Sequence, residues 1–176
     1  MIIKSIALGN VEEAYVEERL TDGVNIIFSD DNNKGKTLVM QGMMYAMGNQ
    51  PIFPKGFNYR ANYFYCKVEV NKKEIEFLRR DSSFVVKKQE KYYTFDNVTE
   101  LKYFLVDEHI FEIPQISKDD HMVVVDLNLF YELFFIGQDK RNPSNTINSG
   151  YNNKKDSIRR AVEELEKLGA DVTLTR

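Results

Sequence analysis

The spacing of apolar positions changes several times along this chain, and each change marks an element. IIKSIAL, residues 2–8, alternates as a strand with one buried face does. Residues 15–20 hold a second short strand-like run, and Thr21-Asp22-Gly23 is a turn. VNIIF, residues 24–28, is a β-branched apolar run and predicts a strand buried on both faces. Residues 29–35 are polar and predict a loop. From Lys36 to Met47 the period becomes helical: Leu38, Val39, Met43, Met44 and Met47 share one face, and Gly48 supplies a stop. After a loop at 49–60, strand-like runs follow at 62–70, 74–80, 83–89 and 91–95. Turns at Asn71-Lys72-Lys73 and Asp81-Ser82 make them a β-meander of hairpins. Asn97-Val98-Thr99-Glu100 opens a helix over LKYFLVDEHIF, and Pro114 ends that region. MVVVDLNLFYELFFIG, residues 122–137, begins as a strand. A polar loop at 139–153 leads to a helix over 156–169. Asp156 caps that helix, Ile158, Val162, Leu165 and Leu168 form its stripe, and Gly169 closes it.

Bulk composition narrows the class without choosing a function. The chain has 176 residues, 43% hydrophobic and 29% charged, enough for one domain with a proper core. A net charge of −3 argues against a basic surface covering the whole domain, though not against a local patch. Cys66 is the only cysteine, so no intrachain disulfide can form, which fits a reducing compartment. Two histidines and one cysteine make a poor zinc set. MIIKSIALGNVEEA lacks the apolar core of a secretory signal, and no run approaches the ~18 apolar residues of a membrane span. The expectation is a cytoplasmic protein with no membrane partner. Aromatic residues stop after residue 151, and composition shifts near residue 155.

The strongest chemical signal is the loop between the 24–28 run and the helix at Lys36. The phosphate-loop pattern G-x-x-x-x-G-K-[ST] needs a strand before it and a helix after it. Here it reads Asp30-Asp31-Asn32-Asn33-Lys34-Gly35-Lys36-Thr37, with only the first glycine replaced. In that setting loop and helix N–H groups face anionic oxygens. Lys36 would reach the β- and γ-phosphates of ATP, and the Thr37 hydroxyl would ligate Mg²⁺. The candidate nucleotide-binding residues are Asn32, Asn33, Lys34, Gly35, Lys36, Thr37 and Leu38. Asp is among the residues most tolerant of the left-handed backbone region, so Asp30 is sterically acceptable where glycine is usual. Its charge and that of Asp31 oppose a polyphosphate and are partly offset by Lys34 and Lys36. A polar turn with a helix cap is the plainer reading of the same string.

These residues resemble the N-terminal ATPase lobe of the SMC, RecN and RecF group, ABC-type ATPases of DNA maintenance and prokaryotic defence. IALGNV, residues 6–11, is similar to the family's opening strand. Asn32, Gly35, Lys36 and Thr37 match its loop, while Asp30 and Asn33 stand where it has glycines. Ala46-Met47-Gly48 and EIEFLRRDSSFVV are similar to its helix end and meander, and FFIGQDKRNPSN, 134–145, to its Q-loop. The resemblance implies an α/β, α+β-like fold: the N-terminal half of a P-loop NTPase over residues 1–153 with a β-meander subdomain at 62–95. It makes Lys36 and Gln138 the candidate catalytic residues. Thr37 and Gln138 would be the Mg²⁺ ligands, with Gln138 also orienting the attacking water. Residues 154–176 are then a helix and tail, either the first turns of a coiled coil or an amphipathic helix packing on its own domain.

Elements of a complete site are missing from the sequence. No apolar strand ending in Asp-Glu follows Gln138; MVVVD, 122–126, lies before it and lacks the acidic base. The family's signature motif and late histidine are also absent, and His109 and His121 fall elsewhere. The resemblance therefore implies hydrolysis only if a C-terminal lobe or second chain completes the site, in an ATP-dependent homodimer of the full protein. A degenerate P-loop interaction module that does not hydrolyse nucleotide is the alternative. RRDSSFVVKKQEK, 79–91, is locally basic and keeps DNA open as a partner. A cysteine or serine hydrolase is a poor fit, since Cys66 has no evident base partner and no G-x-S-x-G occurs.

Overall fold

Strand pairing organises the first of two units. A computed structural model describes residues 1–31, 35–118, 121–132 and 134. These residues fall into a unit from Met1 to Phe104 and a second unit that begins at Leu105. Together they form a mixed α/β fold with an antiparallel sheet.

In the first unit β1 (Ile2–Gly9), β2 (Ala14–Glu17), β3 (Tyr63–Val70), β4 (Lys73–Arg80), β5 (Ser83–Lys88) and β6 (Lys91–Phe95) form one sheet. Its order is β2-β1-β3-β4-β5-β6, and every neighbouring pair is antiparallel. The hairpins follow from local backbone chemistry. Asn71 and Lys72 both have positive φ, 51° and 61°, as the two-residue turn that matches strand twist requires. Asp81 and Gln89 reach 51° and 57° at the next two turns.

Side-chain alternation gives the sheet one buried face. Phe64, Cys66 and Val68 of β3 lie opposite Arg79, Phe77 and Ile75 of β4, and Phe84 and Val86 of β5 continue the rows. Burying each such phenylalanine contributes about 1.5–3 kcal/mol. The helix α1 (Lys36–Ala46) packs on this sheet against β1, β3 and β4. Its approach depends on Gly42, where a Cβ would lie 2.9 Å from Cδ1 of the fully buried Phe64. Tyr45 meets Phe53, Tyr59 and Phe64 edge-on at 4.9–5.6 Å between centroids, and this cluster fixes the connection from α1 to β3.

Residues 24–28 correct the sequence reading. They form no strand: Val24, Ile26 and Phe28 are 92%, 79% and 81% exposed. A strand exists only through backbone pairing, and no described strand lies beside this run. The apolar side chains are present, but the partners that would bury them are not among the described residues.

The helix α2 (Val98–Asp107) starts where the sequence places it. Asn97 Oδ1 accepts the Glu100 N–H at 3.0 Å as an N-cap, and the Glu100 carboxylate reaches back past the cap to accept the Asp96 N–H at 3.1 Å. Phe104 packs against Tyr93 and Phe95 of β6, 4.6 and 4.9 Å between centroids.

In the second unit β7 (Gln115–Lys118) pairs antiparallel with β8 (His121–Val124). Asp126 Oδ1 then accepts the Asn128 N–H at 2.9 Å and starts α3 (Leu127–Glu132), so the apolar run from 122 opens as a strand and continues as a helix. Phe111, Phe130 and Tyr131 form its aromatic cluster. The loop at 139–153 and the helix expected at 156–169 lie outside the described residues.

Candidate phosphate-binding loop

Gly35 sets the geometry of the loop. It is the N-cap of α1 with φ 77° and ψ 10°, the left-handed region, and its carbonyl accepts the Val39 N–H at 3.0 Å. A Cβ there would meet nothing within 4 Å. Glycine is therefore required for backbone conformation and not for space. Gly35 has no side chain with which to cap this helix end, and no acidic residue sits in the first turn. That leaves the positive end of the helix dipole without a carboxylate of its own helix.

Lys36 folds back across the loop. Its ammonium donates to Ser29 Oγ at 2.7 Å and to the Asp31 carbonyl at 2.8 Å. The Ser29 hydroxyl in turn donates to the same Asp31 carbonyl at 2.6 Å. Both ends of the loop are thus tied by one lysine, while Thr37 and Leu38 follow it, half-buried, in the first helical turn. Asp30 is not among the positive-φ residues, so its backbone does not need the glycine that usually stands there. Asp30 and Asp31 are exposed. Of the remaining expected site residues, Asn32, Asn33, Lys34 and Gln138 lie outside the described residues. The structure brings Lys36 to Ser29 and Asp31, and leaves the relation of Thr37 to Gln138 undescribed.

The far end of α1 is held by a residue of the locally basic 79–91 run. Arg79 is 5% exposed. Its Nη1 donates to the carbonyls of Tyr45 and Asn49 at 3.0 and 2.8 Å, its Nε to the Asp81 carbonyl at 2.8 Å, and its Nη2 to Gln50 Oε1 at 3.1 Å. The guanidinium lies 3.5 Å from the Tyr45 ring centroid and 4.6 Å from that of Phe84. Burial lowers its pKa to about 10, against the opposing pull of neighbouring groups. A cation among the last carbonyls of a helix also complements its dipole. The signal was parity: Ile75, Phe77 and Arg79 share one face of β4.

The rest of the 79–91 run does not present an even basic face. Lys87 pairs with Glu76 at 3.4 Å, and Arg80 donates to the Tyr63 hydroxyl at 2.9 Å. On the same exposed side of the sheet, Lys67 pairs with Glu74 at 2.9 Å and Lys4 with Glu69 at 3.1 Å. Cys66 is fully buried, and burial pushes its thiol up to about 12, which removes it as a nucleophile. Among the described residues no group of three or more His, Cys, Asp or Glu could hold a metal, and no helix is long and apolar enough to cross a membrane.

No family model matches the chain. It is 27% identical over 140 residues to Lamassu protein LmuB of Bacillus cereus (strain VD014). That match covers 79% of this chain and 25% of LmuB, so the chain corresponds to about a quarter of that relative's length.

Proposed function

We propose that this chain is the ATP-binding N-terminal lobe of an SMC-like ATPase with a role in prokaryotic defence. The observation that carries the reading is the Lys36 ammonium held over the loop, at the start of a helix capped by a left-handed Gly35. In this reading the first-turn amides and the residues from Asn32 to Leu38 cradle the phosphates. Lys36 offsets charge on the β- and γ-phosphates. Thr37 and Gln138 supply hard oxygen donors of the kind Mg²⁺ takes, and bound Mg²⁺ would neutralise phosphate charge. The similarity to LmuB supports the defence context. The exposed Val24, Ile26 and Phe28 support a need for further chain, since a C-terminal lobe would provide their strand partners as well as the acidic base. Hydrolysis by residues 1–176 alone is then very slow.

Asp30 and Asp31 favour the second reading, a degenerate module that keeps the loop without nucleotide. Calorimetric titration with Mg-ATP separates the two. Saturable heat in the native chain, lost in Lys36→Ala with an unchanged melting temperature, supports the ATP site. An absence of heat up to millimolar ATP, or equal heat in both proteins, overturns it.

A further inference from the structure

We infer that Ser29 is a positioning residue for Lys36, presetting its ammonium for a phosphate ligand. This rests on reading the loop as a phosphate site. An ammonium has three N–H donors and no acceptor, and a hydroxyl has one donor and two lone pairs. Ser29 spends its donor on the Asp31 carbonyl, at 2.6 Å, and accepts from Lys36 Nζ at 2.7 Å. Asp31 accepts from both, using its two lone pairs. Among the described residues two of the three lysine donors are committed to the loop's first residues, and the third points to no described partner and can meet an anionic oxygen.

The triangle has only one removable side-chain partner. The Asp31 acceptor is backbone, so no substitution deletes it, whereas the Ser29 hydroxyl can be taken away alone. A lysine side chain is long and loses much rotamer freedom when fixed. Holding it before the ligand arrives removes that cost from the binding step. Ser29 is half-buried in a loop outside the core, so its truncation leaves the sheet and α1 in place.

The test compares the full chain with Ser29→Ala, Ser29→Val, Ser29→Thr and Lys36→Ala. The first readout is the acetylation rate of Lys36 by a limiting amine-reactive ester, read by peptide mass spectrometry relative to the exposed Lys55. The second is Mg-ATP affinity by calorimetry. Ser29→Ala and Ser29→Val are expected to speed Lys36 acetylation several-fold and weaken ATP binding about tenfold, the worth of one charge-assisted hydrogen bond. Ser29→Thr, which keeps the hydroxyl on the shape of valine, restores both. Native acetylation and affinity in Ser29→Ala, with Lys36→Ala still abolishing binding, overturn the role of Ser29 and leave the ATP site standing. Failure of the native chain itself to bind ATP overturns both.

Discussion

A buried guanidinium without a carboxylate must find its partners elsewhere, and Arg79 takes backbone carbonyls at the end of α1 and in the turn after β4. Truncating it takes a donor from the buried carbonyls of Tyr45 and Asn49 and opens a gap between Tyr45 and Phe84. Arg79→Ala should therefore destabilise the protein by roughly 3 kcal/mol. Arg79→Lys should recover only part of this, because an ammonium cannot reproduce the planar fork. Urea denaturation at a constant m-value checks it, and a loss below about 1 kcal/mol would refute the clamp. Cys66 gives a pH prediction. The unfolded thiol releases its proton near pH 9.0, while the folded one keeps it to about 12. The folded pKa is raised, so its contribution is complete below pH 9 and is lost as pH climbs toward 12, by at most about 1.4 kcal/mol per pH unit. Cys66→Val should show a shallower alkaline decline than the native chain between about pH 8 and about pH 10.5. Parallel declines would show that the thiol is not held neutral. At this scale the start of α1 at Lys36, behind a glycine, was legible because the change to a helical period is a local signal. Arg79 was not, because a charged residue on an apolar face contradicts composition until its carbonyl partners are known. Ser29 was not, because a hydroxyl before a loop carries no pattern of its own.

At the scale of elements, the meander from Tyr63 to Phe95 and the caps around it were legible, since period-two alternation and turn residues are local signals. The cap of α2 is local too: Asn97→Ala should lower stability by about 1 kcal/mol in thermal or urea unfolding. The 24–28 run departs from the strand expectation because an apolar strand signature states what a segment needs and not whether a partner is there to meet it. The exposure of Ile26 gives a direct check. Within this chain Ile26→Asp should change stability by less than about 0.5 kcal/mol. A loss of several kcal/mol would show that the run is buried after all. The opposite holds for Gly42, where Gly42→Val would drive a side chain into Phe64 and should destabilise by about 1–3 kcal/mol despite the better helix propensity.

For the whole molecule, a loop tied by Lys36 leads into α1 close to a segment whose apolar side chains lack cover among the described residues. Both sit in a chain that corresponds to a quarter of its relative LmuB. The sequence could indicate a polar loop leading into α1 because both signals are local. It could not indicate the state of the 24–28 run, because strand pairing depends on partners remote in sequence. The most direct test of the central claim is to follow the backbone amide resonances of Gly35, Lys36, Thr37 and Leu38 in nitrogen-15-labelled protein as Mg-ATP is added. A phosphate cradle gives saturable shifts concentrated at these amides and absent in Lys36→Ala. Unmoved loop amides at millimolar Mg-ATP, or shifts that survive loss of Lys36, would contradict it.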